Sequence, residues 1–550
     1  MKKRMVAGLL AAVMVAGGCG ASTGGGNTTQ TNSASGSSGG SAGASVLNLN
    51  IESEPPTLCS LDCYDVISMN VLRHVMEGLT RLDDDNNVIP GIAEKWDVSE
   101  DELTYTFHLG DVKWSNGEPV TADDFVFGWQ KMLDPEYGAV YSYLYYDIKG
   151  AKDYNTGTGS LEDVAIKAID DKTLEVVLER PTPYFDFLCA QASFLPINQK
   201  FYESLDKDGS NLYGTEADKL LFNGPFVITR WDHDSKITVE KNADYYGADD
   251  VKLDTVNMEM VSDANTAYNM FVGGELDMVS LNTGDQIAQA EKDGYEVLTK
   301  SNGATYYFEF NLSDPTLANE NIRKALAYAV DRKSLTENIL KDSSTAALSF
   351  TNPDITANGS SFQSQVGDVV KDGDIEAAKA ALEQGMKELG ITELPKLTMT
   401  INDKDSDKTQ AAAYQEYWKQ TLGLEVEVLS MPYKSQLSAI KSGDYQICFT
   451  AWGPDYNDPS TFLDVFASGS GMNDTGYASE EYDKLLGQAK AETDPAKRSE
   501  LFVQAEQKLL EDMPMAPITF YNRAYLVSDR LKGLYRSSFQ DIDFANAYME

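Results

Sequence analysis

Between residues 397 and 449 the chain alternates short apolar runs with helical patterns. The spacing of apolar residues predicts strands over 397–401, 424–429 and 445–450. It predicts helices over 409–422 and 434–441, each followed by a glycine that can end it. A strand-helix-strand-helix-strand order is the unit of an open parallel sheet, so the chain is expected to have an α/β fold.

The loop that follows the last of these strands is rich in aromatic and acidic residues. It reads AWGPDYNDPSTF over 451–462, with Asp455 between Trp452 and Tyr456. Ligands of open parallel sheets bind outside the carboxyl ends of the strands, and this loop begins at such an end. Asp455 is therefore a candidate ligand-binding residue. The residues alone leave open a simpler role, in which its carboxylate caps a turn.

Other stretches carry clear secondary-structure patterns. Alternating apolar residues predict a strand over 236–241, with Ile237 and Val239 on one face. Thr121 is placed to cap a helix. Apolar residues at three- and four-residue spacing predict one helix over 321–339.

The first 45 residues have the composition of a targeting segment followed by a tether. Residues 1–18 join a basic start to an apolar run too short to span a bilayer, which predicts a secretory signal. The run ends at Ala16-Gly17-Gly18-Cys19, which resembles a bacterial lipobox and predicts lipidation of Cys19. Ordinary signal cleavage near Ala16 is the alternative. Residues 19–45 are rich in Gly and Ser and predict a flexible tether.

The rest of the chain, about 500 residues, is long enough for two or three domains. The 45 basic and 86 acidic residues give a net charge of −41, which argues against nucleic acid as a partner because phosphate binding needs a basic face. The chain has 3 histidines, and they are far apart in sequence. Neither a histidine-based catalytic site nor a histidine-based metal site is therefore predicted. Cys59 and Cys63 are close in sequence. They either form a disulfide or remain as two thiols.

Several stretches together resemble one family of proteins. They are WGPDYNDP from Trp452, AEKW from Ala93, YTFHLGDVKWSNGEPVTADDF from Tyr105, NGPF from Asn223 and IRKALAYAVDR from Ile322. Taken in chain order, they resemble the extracellular oligopeptide- and dipeptide-binding proteins of ABC importers. The resemblance implies an architecture like that of periplasmic binding proteins, with two lobes around a ligand cleft and an additional inserted domain. The implied boundaries are 46–77, 200–303 and 523–550 for domain I, 78–199 for the inserted domain II, and 304–522 for domain III.

The resemblance also implies roles for individual residues. In the family, the acid at the position of Asp455 pairs with the free α-ammonium of a bound peptide. The residues implied to line the cleft are Tyr141, Tyr307, Tyr433, Trp452 and Tyr521. Val66 is implied to offer main-chain hydrogen bonds to the peptide, in the manner of an added strand.

At two positions the chain departs from the pattern of enteric family members. There, arginines meet the carboxylate at the peptide's C-terminus, whereas this chain has Ile440 and Phe449. Lys441 and Lys341 are the nearest sequence candidates for that role. Each is also placed where a lysine stabilises a helix C-terminus. We therefore expect the cleft to tolerate variation at the C-terminal end of the peptide.

The function that the resemblance implies is capture of peptides at the extracellular face of the cell membrane by a lipid-anchored monomer. The protein would deliver them to the transmembrane subunits of an ABC permease, without a cofactor and without chemistry on the ligand. Within the family, a metal chelate, haem, an opine or a sugar is an alternative solute, and a peptide-sensing receptor is an alternative role. A secreted glycosidase is the alternative from another class, but it needs two carboxylates at a fixed separation, and Asp455 and Asp458 share one loop.

Overall fold

The computed structural model describes residues 45–207, 210–539 and 542–550. Across these ranges, none of the helices is long and apolar enough to cross a membrane. Three sheets organise the chain, and each is named here by its place: the central sheet, the N-terminal sheet and the inserted sheet. Cys19 and the predicted signal and tether, apart from Ser45, lie outside the described residues.

The central sheet contains the predicted parallel unit. Its strands in spatial order are Met278–Leu281, Met515–Val527, Leu298–Phe310, Ile447–Trp452, Leu397–Asn402 and Val426–Met431. The strand Leu397–Asn402 pairs in parallel with both Ile447–Trp452 and Val426–Met431. The helices between them are Asp405–Leu422 and Tyr433–Ser442, and each ends at a glycine with positive φ. The strand-helix alternation read from the sequence is therefore confirmed, and with it the α/β class.

Two long antiparallel strands lie next to each other in this sheet. Leu298–Phe310 and Met515–Val527 pair with each other, and their register shifts between Ser301 and Thr305. The boundaries expected at 303/304 and 522/523 fall inside these two strands, so both strands run without interruption across them. The division of the chain into three domains stays a prediction.

The N-terminal sheet joins segments that are distant in sequence. Its strands in spatial order are Val46–Asn50, Thr255–Glu259, Lys236–Lys241 and Phe226–Asp232. Val46–Asn50 pairs in parallel with Thr255–Glu259. The strand predicted over 236–241 has the predicted bounds, and Ile237 and Val239 are both fully buried.

The inserted sheet consists of Ala93–Val98, Thr104–Leu109, Thr173–Val177 and Ile166–Asp170, in that spatial order. The helix Ala122–Leu133 packs against it and begins with the predicted cap at Thr121, where a capping box forms with Asp124. Asp124 also accepts a hydrogen bond from the indole of the buried Trp114, at 3.0 Å. The cap therefore holds the start of the helix to the core of this part of the chain.

The single helix predicted over 321–339 is wrong. The structure has a helix over Glu320–Tyr328, a break, and a new start at Arg332–Ser334 that continues as a wide π-helical turn over Leu335–Leu340. Asp331 causes the new start, because its side chain accepts the backbone N–H of Ser334 as an N-cap. The guanidinium of the buried Arg332 then binds the carbonyl oxygens that the break exposes, including those of Ala327 and Val330. Apolar spacing continues through the break because Val330 is itself buried.

The remaining longer helices and short strands surround these sheets. The helices are Val66–Val75, Ala264–Val272, Gly284–Lys292, Ile375–Leu389, Glu480–Ala491 and Pro495–Asp512. Short strand pairs join Thr80–Leu82 to Val88–Pro90, Thr356–Ala357 to Ser360–Ser361, and Leu531–Lys532 to Tyr548–Met549. Thr345–Ala346 adds to the long strand Met515–Val527.

Candidate functional site

The loop after the strand Ile447–Trp452 folds back on the short helix Ser460–Leu463. The indole N–H of Trp452 donates to the carbonyl oxygen of Thr461 at 2.8 Å. The backbone N–H of Asp455 donates to the hydroxyl of the same threonine at 2.8 Å. These bonds fix the loop at the carboxyl end of a central-sheet strand, which is the position predicted from the sequence.

Asp458 holds the loop to the rest of the protein. Arg498, on the helix Pro495–Asp512, donates to both of its carboxylate oxygens, at 2.5 and 3.0 Å. The backbone N–H and hydroxyl of Ser460 donate to one of these oxygens, at 3.1 and 2.6 Å. Asp458 is buried, and its carboxylate is occupied by these structural contacts. It is not available as the second carboxylate of a glycosidase.

Asp455 has a different environment on the same loop. Its side chain is 7% exposed, and one carboxylate oxygen accepts a long hydrogen bond of 3.3 Å from the hydroxyl of Tyr141. Among the residues that the structure describes, its other carboxylate oxygen is buried and has no hydrogen-bond partner. Burial raises the pKa of Asp455 to about 7, and the hydrogen bond from Tyr141 opposes the rise only in part. Such a carboxylate lacks the cation that buried charges normally require.

Residues of the inserted segment contact this loop from the other side. Tyr141 lies on the short helix Val140–Tyr145, and Gln191 donates from its side-chain amide to the backbone carbonyl of Asp455 at 2.6 Å. Tyr184 stacks on Tyr456, with ring centroids 4.3 Å apart. Asp455 is therefore enclosed between segments that are far apart in sequence.

Asp455 lies in the wall of a large cavity. The volume in it that the centre of a water-sized sphere can occupy is about 290 Å³, and the cavity is partly open to solvent. The wall includes seven of the residues singled out from the sequence: Val66, Tyr141, Tyr307, Tyr433, Lys441, Trp452 and Asp455. It also includes main-chain and side-chain atoms of the strand Leu298–Phe310 and of the helix Tyr433–Ser442.

Tyr521 and Lys341 are not in the wall described for this cavity. The ring of Tyr521 lies behind that of Tyr306, with centroids 5.2 Å apart, and Tyr306 itself faces the cavity. Lys341 ends the turn Leu335–Leu340 with a positive φ of 53°. The peptide-binding roles assigned to these two residues stay predictions, as do those of the residues in the wall.

Lys441 reaches the cavity wall, but its charge is already paired. Its ammonium is 2.8 Å from a carboxylate oxygen of Asp474 and donates to the carbonyl oxygen of Gly471 at 2.9 Å. It also lies 5.8 Å from the ring centroid of Tyr64. A peptide carboxylate that approached Lys441 would therefore have to compete with Asp474.

The wall also contains a cluster of charged residues that was not predicted from the sequence. Glu52 lies 3.2 Å from the ammonium of Lys404, and both line the cavity with Arg523. Although burial raises the pKa of Glu52, the nearby Lys404 and Arg523 lower it to about 2. Lys404 comes two residues after the strand Leu397–Asn402, so the rule that identified Asp455 could also have identified it. Glu52 carries no comparable sequence signal, because its position depends on folding of the N-terminal segment.

The structure also shows the state of four cysteines and the arrangement of potential metal ligands in the described part of the chain. Cys59, Cys63, Cys189 and Cys448 are free and buried, so Cys59 and Cys63 do not form a disulfide. Burial raises the pKa of the Cys59 thiol to about 12, which keeps it protonated and unreactive. Within residues 45–207, 210–539 and 542–550, no cluster of three or more His, Cys, Asp or Glu side chains is placed to hold a metal ion.

Comparison with known proteins gives consistent matches over most of the chain. Residues 87–474 match the model of the bacterial extracellular solute-binding proteins, family 5 Middle. The chain is 40% identical to the oligopeptide-binding protein OppA of Bacillus subtilis strain 168, over 93% of this chain and 94% of that protein. It is also 40% identical to the dipeptide-binding protein DppE of the same organism, over 92% of each. Among solved structures, Listeria monocytogenes OppA bound to peptide superposes with a TM-score of 0.86 at 35% identity, over 92% of this chain and 99% of that one.

Proposed function

Because this chain belongs to the bacterial extracellular solute-binding proteins of family 5, we propose that it captures peptides outside the cell and delivers them to an ABC-type membrane permease. The matched relatives are named as oligopeptide- and dipeptide-binding proteins, which supports peptides as the solute. The protein's part in uptake is binding and release, without a chemical change in the ligand.

The observation that carries the proposal is the carboxylate of Asp455. It is buried in the cavity wall, and one of its oxygens has no hydrogen-bond partner among the described residues. The α-ammonium of a peptide supplies a positive charge and three N–H donors to such a group. A charge-assisted bond of this kind contributes about 1.5–3 kcal/mol net. It also fixes the register of the peptide, since every peptide with a free amino terminus presents the same group.

The rest of the wall suits a ligand of variable side chains. Tyr141, Tyr307, Tyr433 and Trp452 offer large apolar faces with one polar atom each, at low cost in side-chain entropy. Val66 begins the helix Val66–Val75, is 51% exposed and lines the cavity, which supports the main-chain pairing that the resemblance implies for it. We assign these residues to contacts with the peptide backbone and side chains.

The decisive experiment is identification of the natural ligand. The protein is purified from its own host without denaturation, and the bound material is released and analysed by mass spectrometry. We expect a mixture of peptides with free amino termini. Recovery of a metal chelate, haem, an opine or a sugar as the main component would contradict the proposal in favour of another solute.

We further propose that the protein is a monomer held at the outer face of the membrane by lipid on Cys19. The tether would then separate the anchor from the cavity, so the two should act independently. The variant Cys19→Ser is expected to appear in the medium with unchanged peptide affinity, whereas the parent stays with the membrane fraction. If the variant remains membrane-bound after salt and carbonate washing, something other than this cysteine anchors it.

A further inference from the structure

Glu309 is a second acid in the cavity wall that the proposed function does not use. It lies on the strand Leu298–Phe310, two residues beyond Tyr307 and therefore on the same face of the sheet. Both side chains line the cavity, although Glu309 is only 5% exposed. Its position is thus that of a group buried in protein and directed to the ligand space.

The polar groups around Glu309 leave a deficit of donors. The hydroxyl of Tyr445 lies 2.8 Å from a carboxylate oxygen of Glu309 and 3.0 Å from the carbonyl oxygen of Asp474. A hydroxyl has one proton, so it serves only one of these two acceptors at a time. The second acceptor then needs a donor from elsewhere.

Negative and positive charges near Glu309 are also unequal in number. Lys441, the cation whose charge acts on Glu309, is itself paired with Asp474 at 2.8 Å. The pKa of Glu309 is raised to about 7, first by burial and then by Asp474, while the Tyr445 hydroxyl and the more distant Lys441 oppose the rise. Above neutral pH this part of the cavity therefore holds two carboxylates and one cation.

Apolar side chains lie close to this group. Ile440 packs with Tyr445 and Cys448 in one buried cluster, and the sulfur of Met472 lies 3.6 Å from the ammonium of Lys441. Ile440 and Met472 both line the cavity. An apolar wall that ends at a carboxylate matches a long basic side chain, whose methylene stem packs on apolar surface while its charged end reaches the acid. We infer that Glu309 forms a subsite that selects peptides with a lysine or arginine side chain at one internal position. This inference rests on the proposed function, since it takes the ligand to be a peptide.

The strand indicates roughly where along the peptide that side chain lies. Thr305 pairs with Trp452, three residues before Asp455, and Glu309 lies four residues further along the same strand. Four residues of strand extend about 13 Å, and an extended peptide advances by the same amount per residue. The selected side chain therefore belongs to one of the residues two to five and not to the first.

The test compares matched peptides on the purified full-length protein. Alanine pentapeptides with free amino termini carry either lysine or norleucine at position 2, 3, 4 or 5, and affinities are measured by calorimetry at pH 8. Norleucine keeps the stem of lysine and lacks its charge. At one position we expect lysine to bind at least tenfold more tightly than norleucine.

Two variants assign that preference to Glu309. Glu309→Gln should remove most of the lysine preference while the all-alanine peptide keeps its affinity within about twofold. Glu77→Gln is the matched control, because Glu77 is also a buried acid near tyrosine hydroxyls whose pKa burial raises to about 7, but it is outside the described cavity wall. Glu77→Gln should leave the preference unchanged.

A measurement without variants guards against misfolding. The titratable groups that interact with Glu309 are Asp474, Lys441, Tyr445, Cys448 and Tyr307. Because protonation of Glu309 removes its charge, the ratio of lysine to norleucine affinity in the wild type should fall at least threefold from pH 8 to pH 6. The ratio cancels any titration of Asp455 or of the peptide's amino terminus, which both peptides share.

Three results would overturn the inference: equal affinity of lysine and norleucine peptides at all four positions, a preference that persists in Glu309→Gln, or a ratio that does not change with pH. Failure of the all-alanine peptide to bind would instead contradict the proposed function itself. The two failures are therefore distinguishable in one set of titrations.

Discussion

Asp455 and Asp458 show how neighbouring acids of one loop acquire opposite roles. Asp458 has both oxygens bonded, to Arg498 and to Ser460. Asp455 keeps one buried oxygen without a partner in the described structure. A fully bonded carboxylate stabilises the loop, whereas an incompletely bonded one costs free energy until a ligand supplies the missing donor. This contrast supports the proposal that Asp455 recognises the ligand.

The first prediction is that Asp455→Asn weakens binding of peptides with a free amino terminus by at least tenfold. The amide keeps the size of the side chain but loses the charge that attracts the α-ammonium. Calorimetry with N-acetylated peptides is the control, and their affinity should change by less than about twofold. Equal affinity of the variant and the wild type for unblocked peptides would remove Asp455 from the site.

The second prediction concerns the pH dependence of that contact. Binding needs the ionised form of Asp455, whose pKa is raised to about 7 by burial, so affinity should rise as pH increases through 7. The α-ammonium of the peptide loses its proton above about pH 8, so affinity should fall again at higher pH. Calorimetry from pH 5.5 to 9.5 should give a bell-shaped profile whose rising limb is absent in Asp455→Asn. A rising limb that persists in the variant would assign the titration to another group.

The third prediction is that amidation of the peptide C-terminus changes affinity by less than about 1 kcal/mol, the size of a solvent-exposed ion pair. The cations in the described wall are Lys404, Lys441, Arg523 and Arg73. Lys404 is paired with Glu52 and Lys441 with Asp474, while Arg523 and Arg73 lower the pKa of Glu52 and of Asp543. We therefore expect the peptide carboxylate to remain in water. Matched titrations of free and amidated peptides test this, and a loss of tenfold or more would mean that a buried cation receives the carboxylate.

At the scale of elements, the informative feature is the irregular segment where the strands Leu298–Phe310 and Met515–Val527 lose their common register. Gly303 lies in it with a positive φ of 72°. A Cβ at this position would be 2.6 Å from the carbonyl oxygen of Ser538 and 2.8 Å from the ring of Pro454. Gly303 therefore lets the loop that carries Asp455 approach the C-terminal segment closely.

The fourth prediction is that Gly303→Ala lowers peptide affinity at least tenfold by preventing this approach. Gly390→Ala is the matched control, because Gly390 has a similar φ of 68° but no atom within 4 Å of the added Cβ. Both variants should lose some stability from the left-handed backbone, on the order of 1 kcal/mol. Thermal unfolding measures that shared loss, and calorimetry should show that only Gly303→Ala weakens binding. Equal affinity of the two variants would contradict the prediction.

At the scale of the whole molecule, the cavity is closed by contacts between segments that are distant in sequence. Glu52 binds Lys404 across it, and Tyr141 and Gln191 reach Asp455. We expect a peptide to enter when these contacts separate. We also expect the long strands that cross the predicted domain boundaries to act as the hinge, because they join the two sides without a break.

The fifth prediction is that saturating peptide reduces the radius of gyration of the protein in solution. Without ligand, the uncompensated charge of Asp455 disfavours the closed form, and the peptide's ammonium removes that penalty. Small-angle X-ray scattering of the ligand-free and saturated protein measures the change, and Asp455→Asn at the same peptide concentration is the control. Scattering curves that overlay with and without peptide would argue against closure.

The sequence alone determined the features that depend on local patterns. The parallel unit over 397–449, the helix stops at Gly423 and Gly443, and the placement of Asp455 after a strand end all follow from periodicity and backbone chemistry. Local patterns failed for the helix over 321–339, because burial of Val330 continues the apolar spacing across a break that Asp331 caps.

Only the tertiary structure decided which polar groups are left without partners. Asp455 and Asp458 are equivalent by sequence, and Arg498 distinguishes them from 40 residues away. The lysine whose charge acts on Glu309, Lys441, is paired with Asp474 instead. Hydrogen bonding and ion pairing join residues that meet only after folding, so the free charges that recognise a ligand are a property of the folded chain.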